Sequence, residues 1–219
     1  MPSPFDQSTY QVRLDWGTAG LARLAPADIV VVVDVLRFSS TVIDAVDSGA
    51  DVSLEAAASW SRNGAAVALA AAPDATVLVG GIRNAAAVAR AVQTIQERRQ
   101  ERTSVAVIAA GELDADGTLR FAVEDQLGAG AIVLALSDRG IDHTAPDAAV
   151  AAEGFRALRG ALRHMIGASG SGRELAVGVA STARIEESGL VPTSSADAAV
   201  LDATDVVPVR DEGSFIRFE

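Results

Sequence analysis

The sequence predicts an α/β protein, a three-layer α/β/α sandwich around a mainly parallel sheet. Three observations predict it. Strand-like and helix-like apolar spacing alternate through the first two-thirds of the chain. Ile29-Val30-Val31-Val32-Val33 is an unbroken β-branched run, the pattern of a central strand buried on both faces. Aromatic residues make up only 4% of the chain, so the core has to be assembled from Ala, Val, Leu and Ile. With 219 residues, 49% of them hydrophobic, the chain suits one domain over 1–219, and the part from about residue 167 could form a smaller subregion.

The elements follow in order. Gln11 to Asp15 alternates apolar and polar residues and predicts a strand. Ala27 to Val33 is the strongest strand and ends in Asp34. Ser39 or Ser40 can cap the next helix, whose inner face carries Val42, Ile43 and Val46; Gly49 ends it. Asp51 to Glu55 reads as a short strand, Asn63-Gly64 as a turn, and the Ala-rich stretch Ala65 to Ala72 as a helix. Ala75 to Val79 is a strand closed by Gly80-Gly81. Asn84 can cap a helix running to about Arg99. Ser104 to Ala110 is a strand closed by Gly111-Glu112, and Asp114 to Gly117 is a polar loop. Helical spacing resumes near Phe121, through Val123, Leu127, Ala131 and Leu134. A further helix is expected from Pro146 to about Ile166, then a Gly/Ser linker over Gly167 to Gly172, with Ser171 capping a short helix. Ala196 to Ala203 is helical in pattern, and Val206 to Val209 and Ser214 to Phe218 are strands.

Absences narrow the chemistry. There is no Cys, which excludes thiol catalysis, disulfides and thiolate metal sites. There is no Lys, which excludes Schiff-base chemistry and a P-loop lysine. Only two His are present, His143 and His164, both on polar segments, so a metal site would be built from oxygen ligands suited to Mg²⁺. The net charge of −11 makes nucleic acid an unfavourable partner, while local Arg clusters can still receive a small anion. No apolar run is long enough to span a membrane, and the N-terminus lacks a secretory pattern, so the expected location is cytoplasmic.

Ligands of open α/β sheets gather at the carboxyl ends of strands. Here those ends carry Asp34 with Arg37, Ser39 and Ser40; Gly80-Gly81 with Arg83 and Asn84; and Gly111-Glu112, with Glu124-Asp125 opening the next helix. Carboxylates grouped at one edge suit a cation, and Arg with hydroxyl and backbone N–H donors suits a phosphate. These are parts of metal-assisted phosphoryl transfer to water. Each residue also has a plain structural role open to it. Asp34, Ser39, Ser40 and Asn84 could cap helices, Asn63 could form a turn, and Glu124-Asp125 could complement a helix dipole. An aspartyl nucleophile of the haloacid dehalogenase type would need a second Asp at position 36, where the chain has Leu36.

Val32-Val33-Asp34-Val35-Leu36-Arg37-Phe38-Ser39-Ser40-Thr41 resembles the signature of the 2-phosphosulfolactate phosphatase (ComB-like) family. Later segments match in order: Ser61-Arg62-Asn63-Gly64, Gly80-Gly81-Ile82-Arg83-Asn84-Ala85, Ala109-Ala110-Gly111-Glu112, Phe121-Ala122-Val123-Glu124-Asp125, Gly128-Ala129-Gly130 and Ser171-Gly172-Arg173-Glu174-Leu175. The resemblance implies a Mg²⁺-dependent phosphatase that converts 2-phosphosulfolactate to sulfolactate and phosphate, a step of coenzyme M biosynthesis. Carried over, Asp34, Glu124 and Asp125 would hold the metal, with Asp34, Arg37 and Glu124 as catalytic candidates. Ser39, Ser40, Asn63, Arg83 and Asn84 would contact the phosphorylated acid. A homodimer is compatible with this reading. The segment between Gly49 and Asn63 is shorter than in the family, whose Gly-Glu and Gly-Asn-Ser-Pro motifs have no counterpart here. A second reading is therefore a non-catalytic relative that keeps the fold and binds an anion, and a third is an enzyme for another anionic substrate.

Overall fold

A computed structural model describes residues 3–114 and 116–219; Ala115, inside the expected polar loop, lies outside the described residues. The chain begins with β1 (Val12–Trp16), α1 (Gly17–Arg23) and β2 (Ile29–Val33). An irregular turn over Val35–Ser39 leads into α2 (Ser40–Asp47). Then come β3 (Val52–Ser53), α3 (Leu54–Trp60), α4 (Gly64–Ala70), β4 (Thr76–Gly80) and α5 (Ala85–Arg99). β5 (Val105–Ala109) is followed by a small hairpin, β6 (Glu112–Leu113) and β7 (Leu119–Arg120), and by α6 (Val123–Ser137). The remainder is α7 (Pro146–Leu158), α8 (Leu162–Ala168), α9 (Gly170–Val177), α10 (Ala180–Glu187), α11 (Ser195–Ala198), β8 (Pro208–Asp211) and β9 (Ser214–Arg217).

The main sheet has seven strands in the order β1-β5-β2-β4-β8-β9-β3. β1, β5, β2 and β4 run parallel, while β8, β9 and β3 complete one edge with antiparallel pairings. The C-terminal strands thus belong to the same sheet as the N-terminal ones. β2 lies between β5 and β4, and all five of its residues are buried, as the unbroken run Ile29–Val33 predicts.

The strand period of two divides this run between two cores. Ile29, Val31 and Val33 pack with Val88 and Val92 of α5, Leu127 and Ile132 of α6, and Phe155 of α7. Val30 and Val32 pack with Val42 and Ile43 of α2, Trp60 of α3 and Val67 of α4. Two helix layers on one sheet make the three-layer sandwich. Each fully buried Val or Ile contributes roughly 1.5–3 kcal/mol relative to exposure, so this one strand is a major anchor of the fold. α6 approaches the end of β2 closely because it carries Gly128. A Cβ there would come within 2.6 Å of a methyl of Val35.

Several local features differ from the sequence expectation. The helix from Pro146 breaks at a tight turn over Arg159–Ala161, with Gly160 at its centre, before α8 resumes. Ser169, not Ser171, caps α9: its Oγ accepts the Gly172 N–H at 3.1 Å. Helices α1, α3 and α10 carry no strong sequence signal; α1 and α10 lack a side-chain N-cap, and α3 is only seven residues long. Among the described residues no helix is long and apolar enough to cross a membrane.

Candidate active site

β2 connects to β4 through α2, α3 and α4 on one face, and β4 connects to β5 through α5 on the other. The chain therefore reverses its winding beside β2, and a crevice opens at the carboxyl ends of β2 and β5. A cleft of 380 Å³ occupies this place. It is lined by Asp34 and Arg37 after β2, Trp60 to Asn63 after α3, Glu112 in β6, Glu174 in α9, and Ser181 and Arg184 in α10. A larger hollow of 670 Å³ lies under the N-terminal segment near Phe5, Tyr10 and Trp16; none of the strand-end motif residues after β2, β4 or β5 reaches it.

Asp34 is set by the turn that follows β2. The Ser39 N–H donates to the Asp34 carbonyl at 2.7 Å and closes one wide loop of backbone. The Asp34 carboxylate accepts the Gly64 N–H at 3.0 Å and the Phe38 N–H at 3.4 Å. Gly64 is required here: a Cβ would stand 2.5 Å from the Phe38 ring and 2.8 Å from Asp34 Oδ2. Burial pushes the Asp34 carboxyl up to about 7. The N–H bonds from Gly64 and Phe38 and the Arg37 charge oppose that rise, while the Glu112 carboxylate adds to it. Gly64→Ala should therefore displace Asp34 and lower stability by about 1–3 kcal/mol, the usual cost of overpacking. Denaturant midpoints together with phosphate release would check it.

Arg37 has little exposed surface and is held from the C-terminal side. One guanidinium nitrogen hydrogen-bonds the Ser181 hydroxyl. Nη1 has no hydrogen-bond partner and stands 3.7 Å from a Glu174 carboxylate oxygen. The cleft face of Arg37 is therefore a buried cation with unused donor capacity, suited to phosphate or sulfonate oxygens. Asn63 is similar among polar groups. Its Nδ2 reaches Glu112 at 3.5 Å, while its Oδ1 is buried without a partner.

Asp125 lies behind the cleft at the start of α6, 2% exposed. One oxygen accepts the Val35 N–H at 2.7 Å, the other the Gly111 N–H at 2.9 Å. Burial first, then the Asp34 and Glu124 carboxylates, push it well above the usual carboxylate range; the two N–H donors act the other way. Glu124 is also buried and faces a separate cavity of 130 Å³, lined in part by Glu112, Arg120 and Ser171. Asp34 and Glu112 thus line the cleft, while Asp125 and Glu124 stand behind it. Among the described residues no three Asp, Glu or His side chains form a metal-ligand set, so the trio Asp34, Glu124 and Asp125 is not gathered as a ready cage. Of the carboxylate and amide oxygens on the cleft, Glu174 faces Arg37 at 3.7 Å, which leaves Asp34, Glu112 and the unpartnered Asn63 Oδ1. Such a set fits Mg²⁺, which takes one or two carboxylates and completes its shell with water and substrate phosphate.

The remaining sequence candidates have structural partners. Ser39 Oγ accepts the Asp34 N–H at 2.9 Å, and Ser40 Oγ donates to the Val35 carbonyl at 2.7 Å, so both hydroxyls brace the turn rather than line the cleft. Arg83 points elsewhere. It pairs with Asp44 at 2.6 Å and donates to the Asp197 carbonyl at 2.7 Å, tying α2 to α11. Asn84 does not cap α5 with its side chain. Its Oδ1 accepts the Gly81 N–H, and its Nδ2 donates to the carbonyls of Val79 and Val206, holding β4 to the C-terminal segment.

Glu112, Arg62, Glu174, Ser181 and Arg184 also line the cleft and lie outside the site residues expected from the sequence. Three of them carry a sequence signal: Glu112 ends a predicted strand, Arg62 lies in the Ser-Arg-Asn-Gly segment, and Glu174 lies in the Ser-Gly-Arg-Glu-Leu segment. The stretch before Asn63 forms a wall of the cleft, since α3 supplies Trp60 and leads directly to Ser61 and Arg62.

Fold and cleft together define an α/β protein with a crevice lined by arginines and carboxylates at its strand ends. The 2-phosphosulpholactate phosphatase family matches residues 50–212, about three-quarters of the chain, and the chain belongs to that family. A search of the curated proteins finds no match. The matched span begins after Asp34 and Arg37 and includes every other cleft-lining residue named above.

Proposed function

We propose that the protein is a Mg²⁺-dependent phosphatase that hydrolyses 2-phosphosulfolactate to sulfolactate and phosphate. Family membership supports a phosphatase acting on a small phosphorylated substrate. The observation that carries the site reading is one cleft in which Arg37, with a buried unpartnered Nη1, meets Asp34 and Glu112. Arg37 binds the phosphoryl oxygens bidentately and is kept in place by Ser181 and Glu174. Asp34 and Glu112 repel one another in a desolvated place, and Asn63 Oδ1 lacks a donor; a hard cation satisfies all three. When bound, Mg²⁺ would neutralise charge on the phosphoryl oxygens and activate a water. Phe38 and Trp60, with ring centroids 5.8 Å apart, form an apolar floor that limits solvent around the reacting group. Glu124 and Asp125 support this arrangement from behind.

The test is phosphate release from 2-phosphosulfolactate and from an aryl phosphate, with Mg²⁺ and with chelator. Turnover that requires Mg²⁺ and falls at least about 100-fold in Arg37→Gln is expected, as for loss of a charge-stabilising group. A folded protein that releases no phosphate from either ester would refute the proposal and favour a non-catalytic anion binder.

A further inference from the structure

We infer that Arg62 and Arg184 form a second anion subsite, one that selects phosphate esters carrying a further acidic group. The inference rests on the phosphatase reading above. Three guanidinium groups line the cleft: Arg37, Arg62 and Arg184. Arg37 is the buried one and already has partners in Ser181 and Glu174. Arg62 and Arg184 are exposed, and among the described residues neither guanidinium forms a hydrogen bond or an ion pair. Among the described residues seven of the 18 arginines form ion pairs, Arg23–Asp15, Arg83–Asp44 and Arg99–Asp28 among them, so what sets Arg62 and Arg184 apart from other unpaired arginines is their place on the cleft beside Arg37.

Their placement is built by packing. Helix α10 lies against α3, and its Ile185 is fully buried in the same apolar cluster as Trp60. That contact fixes Arg184 beside the segment that carries Arg62. Arg184 also sits in the last turn of α10, where a cation suits the helix dipole; that role is indifferent to substrate, whereas the lining of the cleft is not. One phosphoryl group is satisfied by one bidentate guanidinium and a cation. Two more arginines on the same cleft match a second acidic group on the same small molecule, a carboxylate or a sulfonate.

The test compares kcat/KM for three esters on the full chain with Mg²⁺: p-nitrophenyl phosphate, phospholactate and 2-phosphosulfolactate. The wild type should prefer the acid-bearing esters at least 100-fold. Arg184→Gln and Arg62→Gln should each reduce that preference at least 10-fold through KM, and Arg184→Lys should restore part of it. Arg173→Gln, on an exposed position of α9 outside the cleft lining, should leave the preference intact. Preference for phospholactate identifies a carboxylate as the group read; preference for 2-phosphosulfolactate alone identifies the sulfonate. Equal kcat/KM for all three esters, or an undiminished preference in both variants, would overturn the subsite. Should the wild type hydrolyse none of them, the phosphatase reading fails separately, and sulfolactate binding by calorimetry decides the subsite. Binding weakened at least 10-fold in Arg184→Gln supports it; unchanged or absent binding overturns it.

Discussion

Asp34→Asn should give a protein that is inactive and yet, at pH 8 in chelator, more stable than its parent. Burial raises the folded-state pKa of Asp34 from 3.8 to about 7. The neutral carboxyl thus contributes stability in full below about pH 4, and that contribution is lost as the pH rises through 7. About three pKa units correspond to on the order of 4 kcal/mol. Asn cannot ionise and escapes that loss. It has one oxygen acceptor, however, where the aspartate uses two oxygens for the Gly64 and Phe38 N–H groups. Leaving one donor unsatisfied costs about 1–3 kcal/mol, so the net gain at pH 8 should be roughly 1–3 kcal/mol, reversing below pH 5. Denaturant unfolding across pH 4–8 measures it. Stability curves of equal slope for parent and variant would show that Asp34 is not strained by its surroundings. Turnover should fall by more than the roughly 100-fold that loss of an outer metal partner costs.

Asp125→Ala should have the largest effect on stability. The substitution leaves the N–H groups of Val35 and Gly111 buried and unpaired. Each such group costs about 1–3 kcal/mol, for a total of roughly 2–6 kcal/mol. Asp125→Asn keeps one acceptor and should lose about half as much. Removing the charge also relieves repulsion with Asp34 and Glu124, so the loss is best measured near pH 5, where that repulsion is weakest. Amide exchange at Val35 and Gly111 should accelerate in step with the lost stability. A metal-free variant as stable as its parent would mean that Asp125 serves a ligand rather than the fold.

The parts of the molecule that could be read from its sequence are those set by local pattern. Ile29–Val33 announces a doubly buried strand because no other element hides five consecutive β-branched residues. Asp34 and Arg37 could be placed at the site because they follow that strand directly. The short hydroxyl side chains of Ser39 and Ser40 reach only the backbone of their own turn, so the turn satisfies them first. Arg83 has the right composition for an anion, but its nearest acceptor is Asp44, on a helix 39 residues earlier in the chain, and no spacing rule encodes that meeting. The same holds for Ser181 and Arg184, which reach the cleft only because α10 packs on α3. Asp125 was legible as an important carboxylate, while its two N–H donors come from loops 90 and 14 residues away.

Asp125 links the turn after β2, the turn after β5 and the first turn of α6 through one side chain. Those three pieces therefore form a keystone assembly, and a change at any one of them is felt by the others. The C-terminal wall is attached differently. Helix α10 is bracketed by Gly178 and Gly189, both in left-handed conformations, and meets the keystone through Arg37. On the proposed reading, the half tied together by Asp125 would handle the phosphoryl group, and the α9–α10 wall would face the rest of the substrate. Directed evolution of new substrate range should find its productive changes between Gly170 and Gly189, and its lethal ones around Asp125.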